Sequence, residues 1–165
     1  MKELKIPVKA GFCKNCFRMR KDGSAYCGNC KNEPPRKKIY QDDQKNFPLM
    51  KELRNIFPIT GGTILTYGDT IYFDGDLPFH LVAHEITHIL QQEKLEVNKW
   101  WDKYFKDNKF RLEQELEAYQ NQYKSQRKQD EVEAAFLLEN IAKDLSGKLY
   151  GEIISLKEAK ELIKS

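Results

Sequence analysis

The sequence predicts an α+β protein with a mainly helical domain, a small β-sheet and a short cysteine-rich module in front. Three observations support this. Charged segments with apolar residues at helical spacing fill most of the second half, a β-branched and aromatic stretch covers 63–73, and all four cysteines lie between positions 13 and 30. The chain has 165 residues, 40% hydrophobic and 32% charged, which is ordinary for a globular domain with a small appendage.

The charge of the chain is unevenly distributed. Residues 1–40 carry eleven Lys/Arg against three Asp/Glu, a formal charge of +8, whereas residues 41–165 carry a formal charge of −5. This contrast indicates two functional units. No apolar run approaches the roughly 20 residues of a membrane span, and the N-terminus lacks the apolar core of a signal peptide. We therefore expect a cytoplasmic protein with no membrane partner.

The cysteines have the spacing of a structural metal site. "CKNC" and "CGNC" combine into C-x2-C-x10-C-x2-C, formed by Cys13, Cys16, Cys27 and Cys30. Two such turns joined by a hairpin predict a zinc ribbon over residues 1–33, with one structural Zn²⁺ held by four thiolates. A redox dithiol pair is the alternative. The basic and aromatic residues of the ribbon predict contact with nucleic acid or with another protein.

The domain after the ribbon begins with a linker, a short helix and a hairpin. Residues 34–46 contain proline and are charged, which predicts a linker, and residues 47–165 form the main domain. "FPLMKELRNIF" (47–57) predicts a short amphipathic helix, and "TILTYGDTIYF" (63–73), with "GD" at its centre, predicts a hairpin or two short strands. A longer helix follows, with Asp76 as its predicted cap and Pro78 in its first turn.

The rest of the chain is predicted to be helical with short interruptions. Residues 97–109 predict a connection or short helix, and residues 110–145 a helix that breaks near 125–129. Residues 146–154 predict a loop or short strand. A final helix covers 155–164, where Ser155 and Glu158 have the spacing of a capping box.

"HEITH" places two of the three histidines of the chain four residues apart. On a helix, His84 and His88 then lie about 40° apart around the axis and about 6 Å along it, so both imidazoles can reach one ion. Glu85 flanks that point. This H-E-x-x-H geometry predicts a zinc site whose glutamate activates water, and a pair of histidines satisfied within a core is the alternative. His80 lies about 12 Å along the helix from His88, which predicts a packing or supporting role.

The third ligand should be a carboxylate, because no other histidine is available and the cysteines belong to the ribbon. The helix after position 110 offers Glu113, Glu115 and Glu117. Its apolar stripe is spaced four, three and four residues apart, and Glu115 lies about 70° from that stripe, nearer than Glu113 or Glu117. A ligand of a buried metal must lie beside the buried stripe, so Glu115 is the predicted ligand.

"HEITH" followed 27 residues later by "ELEAY" resembles the gluzincin metallopeptidases, particularly small single-domain members found in phage and bacterial genomes. The resemblance covers about residues 60–125. It implies a zincin-like fold, His84, His88 and Glu115 as ligands of a catalytic Zn²⁺, and Glu85 as general base. A phage origin would place the protein in the host cytoplasm. Many relatives have Asp or Asn four residues after the ligand Glu, where this chain has Tyr119, a residue that we expect to pack in the core.

The expected function is zinc-dependent hydrolysis of peptide bonds in a peptide or protein substrate, through a water held at the zinc and activated by Glu85. Tyr119, Tyr123 and Tyr150 are candidates for stabilising the oxyanion or supporting the ligands. The strands of 63–73 are expected beside the cleft, where they would bind an extended peptide. The alternative is a non-enzymatic adaptor for nucleic acid or protein that uses the basic ribbon, with the HExxH domain as a metal-stabilised scaffold.

Overall fold

The structure is a computed structural model and describes residues 1–4, 13 and 38–165. The described part is α+β and mostly helical, with a four-stranded mixed sheet. The strands are β1 (Lys2–Glu3), β2 (Tyr40–Asp42), β3 (Leu65–Tyr67) and β4 (Thr70–Tyr72), in the order β1-β2-β4-β3. β2 and β4 run parallel, and the other two pairs are antiparallel. The α+β class with a small sheet is therefore confirmed.

The hairpin predicted over 63–73 is confirmed. β3 and β4 pair in a register that sets Tyr67 opposite Thr70, so Gly68 and Asp69 form a two-residue turn. Gly68 has φ of 61°, a conformation that glycine adopts without steric cost and that this kind of turn requires. β3 lies at one edge of the described sheet.

The end of the predicted linker is folded. Tyr40–Asp42 form β2 between β1 and β4, and Gln44–Asn46 form a single 3-10 turn. Gln41 is 4% exposed and its side-chain amide donates to the carbonyls of Phe73 and Gly75. A short strand whose buried side chain is polar has no apolar alternation to reveal it, which is why the composition suggested a linker. Residues 34–37 of that linker lie outside the described residues.

Six helices and two 3-10 turns carry the rest of the described chain. The helices are α1 (Met50–Arg54), α2 (Phe79–Leu95), α3 (Val97–Lys106), α4 (Asn108–Arg127), α5 (Glu131–Leu145) and α6 (Leu156–Lys164). The second 3-10 turn, Lys148–Tyr150, lies where a loop or short strand was predicted. The break in the predicted 110–145 helix falls at 128–130, slightly later than expected. Within the described residues, no helix combines the length and apolar character needed for a bilayer span.

Helices α4, α5 and α6 start at residues whose side chains cap them, and α2 does not. Asp107 and Asp130 accept hydrogen bonds from the first free amides of α4 and α5, and Ser155 and Glu158 form the predicted capping box of α6. The prediction that Asp76 caps α2 is wrong. Pro78 occupies the capping position in an extended conformation, which leaves Asp76 two residues too early to reach the free amides of the first turn.

Helix α2 is packed on two sides, which places its polar residues in the interior. On one side Val82, Ile86 and Ile89 join a core cluster with Ile39 and Ile71 beside the sheet. On another side α2 packs against α4, which in turn packs against α5 and α6. Several buried polar side chains of α2 therefore face α4, and others, such as Glu85, face β3.

Candidate metal centre

Three donor atoms from α2 and α4 converge in this buried interface. The Nε2 atoms of His84 and His88 are 3.0 Å apart, and carboxylate oxygens of Glu115 lie 3.3 Å and 3.4 Å from them. All three residues are buried, with 4–8% exposure. Among the described residues, this is the group of His, Cys, Asp and Glu side chains whose spacing suits a metal ion.

The spacing of the donors fits a tetrahedral ion. Metal–ligand bonds of 2.0–2.1 Å in tetrahedral geometry put neighbouring ligand atoms about 3.3 Å apart. The 3.0 Å between the two Nε2 atoms and the 3.3 Å from Nε2 of His84 to Oε2 of Glu115 are close to this value, and the 3.4 Å contact of His88 is made with the other oxygen, Oε1. Three protein donors fill three positions and leave a fourth for another ligand. His84, His88 and Glu115 can thus hold a metal ion.

The carboxylate of Glu115 needs a compensating positive charge because it is buried. Burial alone raises the pKa of Glu115, but His88 and His84 more than offset this and hold that pKa well below its usual range. Burial likewise lowers the pKa of His88, and the charge and hydrogen bond of Glu115 overcome it to raise that pKa to about 9. Without metal, a proton on the imidazole balances the carboxylate. A divalent cation bound between the same atoms would take over that role.

Two glutamine side chains orient the histidines. The Nδ1 of His88 lies 2.9 Å from Oε1 of Gln91, and the Nε2 of Gln91 donates to the carbonyl of Gln114 and to the carboxylate of Glu117. Because the amide nitrogen of Gln91 is committed to these acceptors, its oxygen must accept from Nδ1–H of His88. The unprotonated Nε2 of the neutral ring then faces the ion site, as metal binding requires.

Gln122 makes the equivalent contact with His84 and links that histidine to His80. Its Oε1 lies 2.9 Å from Nδ1 of His84, and its Nε2 lies 3.1 Å from Nδ1 of His80. Burial, and then the neighbouring His84, lower the pKa of His80, so its neutral ring accepts from the amide. His80 is therefore a supporting residue, as the sequence predicted, and acts through Gln122.

Helix α3 forms an aromatic wall behind the third donor. The phenol of Tyr104 donates to Oε1 of Glu115 at 2.6 Å. Tyr104 stacks on Trp100 with ring centroids 4.7 Å apart, and Trp100 packs edge-on against His88. The sequence showed these aromatics in a segment of undecided structure and gave no reason to place them at the metal centre.

Glu85 lies beside the three donors and is held by the sheet. It is 4% exposed, and Oγ1 of Thr66 on β3 donates to its Oε2 at 2.6 Å. Its charge contributes to the raised pKa of His88, so the two side chains are close. One carboxylate oxygen is thus fixed by Thr66, and the other is available to a molecule in the cavity.

The burial of the three candidate carboxylates on α4 agrees with the angles that the helical wheel predicts. Glu115 is buried at the ion site, whereas Glu113 and Glu117 are exposed. Glu117 still takes part indirectly, because it fixes the amide of Gln91. Gln91, Gln122, Thr66 and Tyr104 were missed from the sequence.

The tyrosine candidates divide into two groups. Tyr119 packs on His84 with centroids 4.8 Å apart, and both Tyr119 and Tyr150 line the cavity beside the donors. Burial and then Glu115 raise the pKa of each phenol, so both remain proton donors at neutral pH. Tyr123 belongs to the core cluster formed by α4, α5 and α6 and does not line the cavity.

A cavity of about 370 Å³ opens onto the three donors. Its walls come from β3, from α2 to α5 and from the loop after α1. Glu85 and the three donor residues line the cavity, together with Leu65 and Thr66 of the edge strand β3 and Ile64 just before it. The carbonyl of Thr66 already accepts from Gln92 and Trp101, so the strand has less free edge for a peptide than the sequence suggested.

Most of the predicted zinc ribbon lies outside the described residues. Cys16, Cys27 and Cys30 lie outside the described residues, and Cys13 is fully buried. The structural zinc and the ribbon therefore stay predictions. Comparison of the chain with family models, with curated proteins and with solved structures found no match.

Proposed function

We propose that this protein is a zinc-dependent metallopeptidase of the gluzincin type. The observation that carries the proposal is Glu85, a carboxylate that lines a cavity beside three donors spaced for one metal ion. A metal site that only stabilises a fold is closed by four protein ligands, whereas three ligands and an accessible cavity are typical of catalysis. The resemblance of "HEITH" and "ELEAY" to gluzincins supports the same function.

His84, His88 and Glu115 would hold the zinc. When bound, zinc supplies a Lewis acid for a peptide carbonyl and for water. Glu85 accepts a proton from the attacking water at the oxygen that Thr66 leaves free, and returns it to the amine as the C–N bond breaks. Thr66 keeps the carboxylate from rotating away between the two proton transfers, so the base stays in place through the reaction.

Tyr150 and Tyr119 would serve the developing oxyanion. Their phenols stay protonated because burial and the charge of Glu115 raise their pKa values. A protonated donor fixed in a cavity stabilises negative charge without reorganising during the reaction. Tyr119 packs against His84, and a hydrogen bond joins its phenol to that of Tyr150, so the two phenols would act together.

Glu85→Gln tests the proposal. The amide oxygen of Gln can still accept from Thr66, so the α2–β3 contact and zinc binding should persist while peptide cleavage falls at least about 100-fold. Zinc content, melting temperature and cleavage of an unstructured protein such as casein would be measured together. Cleavage by Glu85→Gln at the rate of the unaltered protein would refute the proposed mechanism.

A second variant separates catalysis from folding. Thr66→Val removes the hydrogen bond to Glu85 and keeps the shape and the carboxylate. We expect an activity loss of roughly 10-fold with zinc content unchanged, since the base is present but less well oriented. The adaptor alternative predicts that neither variant changes any measured function, because a scaffold has no use for a base.

A further inference from the structure

The guanidinium of Arg111 connects the end of α3 and the second 3-10 turn to α4. Arg111 lies near the start of α4 and is 4% exposed. Its Nε donates to the carbonyl of Tyr104 at 2.9 Å, and its Nη2 donates to the carbonyl of Phe105 at 3.2 Å. Its Nη1 donates at 2.9 Å to Oδ1 of Asn108 and also to the carbonyl of Leu149. Four of the five N–H groups of this planar side chain are therefore engaged.

One side of the guanidinium holds the last turn of α3. The carbonyls of Tyr104 and Phe105 lie in that turn, where the helix itself supplies no donors. Arg111 supplies them, and its positive charge suits the C-terminal end of a helix. The rings of Phe57 and Tyr104 lie 4.8 Å and 5.4 Å from the guanidinium carbon. Because the phenol of Tyr104 donates to Glu115, this contact reaches the metal centre.

The other side of the guanidinium holds the second 3-10 turn. The carbonyl of Leu149 belongs to the peptide group that leads into Tyr150, so the hydrogen bond from Arg111 fixes that peptide plane. Tyr150 is 4% exposed and lines the cavity. The next residue, Gly151, has φ of 83°, and a Cβ there would lie 2.8 Å from Nδ2 of Asn108. The turn is therefore packed directly onto the start of α4, with no room for a side chain between them.

Arg111 thus holds two cavity-lining tyrosines that come from different elements, Tyr104 from α3 and Tyr150 from the turn. Its acceptors belong to separate segments, so their relative positions depend on the geometry of the guanidinium. A shift of about 1 Å in a group that takes part in a reaction can cost on the order of 100-fold in rate. The cavity is therefore sensitive to the shape of the side chain at position 111.

We propose that Arg111 is a positioning residue, which sets the place of the Tyr150 phenol beside the metal centre through the carbonyl of Leu149. The inference rests on the proposed function, in which Tyr150 donates a hydrogen bond to the developing oxyanion. A residue that only stabilised the fold would change the folded fraction of the protein, but not the turnover of the folded molecules. A positioning residue changes kcat and acts through Tyr150.

Arg111→Lys tests this role with a conservative change. Lysine keeps the charge, but its one nitrogen cannot replace the three nitrogens that bind four acceptors. Turnover would be measured at saturating zinc with a fluorogenic peptide built on a casein sequence that the protein cleaves. We expect kcat to fall roughly 10-fold with KM nearly unchanged, because the misplaced phenol would be used only in the transition state.

A double-mutant cycle shows whether Arg111 acts through Tyr150. Tyr150→Phe removes one donor to the oxyanion and should lower kcat on the order of 100-fold. Once the phenol is absent its position no longer matters, so Arg111→Lys in the Tyr150→Phe background should cause no further loss. Independent effects would multiply to roughly 1000-fold in the double variant, and that result would overturn the proposal.

Gly151→Ala displaces the same turn without changing Arg111. The added Cβ would meet Asn108, and the positive φ disfavours alanine, so kcat should fall as it does for Arg111→Lys. Gly75→Ala is the matched control. Gly75 also has a positive φ, of 118°, but a Cβ there would meet no atom closer than 3.7 Å beyond its chain neighbours, and Gly75 does not line the cavity at the three donors. Equal kcat values for the two glycine variants would overturn the proposal.

The place of Tyr150 can also be measured without a substrate. Full-length zinc-loaded protein would be prepared with 3-fluorotyrosine, and the fluorine resonance of Tyr150 would be identified by its loss in Tyr150→Phe. Arg111→Lys and Gly151→Ala should shift or broaden this resonance in the NMR spectrum. The resonance of Tyr40, which lies on β2 and does not line the cavity, should stay unchanged.

Failure of this proposal and failure of the proposed function give different results. Cleavage of casein by the unaltered protein, combined with an unmoved Tyr150 resonance in both variants, would leave the peptidase and remove the role of Arg111. A moved Tyr150 resonance in a protein that cleaves no casein would support the hold of Arg111 on Tyr150 and remove the peptidase.

Discussion

Replacing Tyr104 with phenylalanine should weaken metal binding without disturbing the fold. The phenol of Tyr104 donates to Oε1 of Glu115 at 2.6 Å, and both groups are buried. The substitution removes this one hydrogen bond. The stacking on Trp100 needs only the ring and should remain.

The size of the effect follows from the charge of the acceptor. A hydrogen bond to a charged group contributes about 1.5–3 kcal/mol, which corresponds to roughly a 10- to 100-fold change in affinity. Part of this energy also opposes rotation of the carboxylate. Oε1, which accepts from Tyr104, lies 3.4 Å from Nε2 of His88, and Oε2 lies 3.3 Å from Nε2 of His84, so the hydrogen bond fixes the orientation of the whole carboxylate toward the two imidazoles.

Zinc affinity would be measured by competition with a chromophoric chelator, and the visible spectrum of the cobalt form would report the number of ligands. Tyr123→Phe is the matched control, since Tyr123 has the same 9% exposure as Tyr104 but does not line the cavity. Equal zinc affinity of the Tyr104 and Tyr123 variants would show that the hydrogen bond to Glu115 has no part in holding the metal.

Gln122→Leu should lower zinc affinity about 10- to 100-fold in the chelator assay, because Nδ1 of His84 loses its acceptor; unchanged affinity would refute the orienting role. Arg111→Met should lower the melting temperature by roughly 6–12 °C, which corresponds to a loss of about 3 kcal/mol of stability. Arg111 is 4% exposed, and its guanidinium donates to three carbonyls and one amide oxygen that the methionine would leave without a donor. Chelator-treated protein should be most stable between about pH 4.5 and 6.5. Because folding raises the pKa of His88, the stability that this residue contributes is fully present below 6.5, its unfolded value, and is lost as the pH rises towards about 9. Because folding lowers the pKa of Glu115, its contribution is present above 4.5 and is lost in acid. A melting temperature that rises from pH 6.5 to 9 would contradict this sign.

The parts of the site that the sequence revealed are those set by a single helix. His84 and His88 follow from four-residue spacing, and Glu115 follows from its angle to the buried stripe of α4. Both depend only on helical geometry, which the sequence specifies well. The supporting residues depend on how separate elements meet. Thr66 approaches from a strand and Tyr104 from the helix after α2, and no periodicity within either segment indicates the contact.

The errors in the fold have a related origin. β2 is three residues long and buries the amide of Gln41, so its only evidence is the pairing with β1 and β4. The sequence predicts Asp76 as the cap of α2 because aspartate is a preferred capping residue and proline suits the first turn of a helix. The structure instead starts the helix at Phe79, where Pro78 already supplies the extended conformation that a cap requires.

The use of both ring nitrogens distinguishes this centre from a pair of histidines satisfied within a core. In such a pair, each ring would spend its free nitrogen on a neutral partner. Here both Nδ1 atoms are taken by glutamine oxygens, and both Nε2 atoms point at each other and at one carboxylate. A single proton can join only two of these three groups at a time. One divalent cation can join all three, so the arrangement is best satisfied by a metal ion.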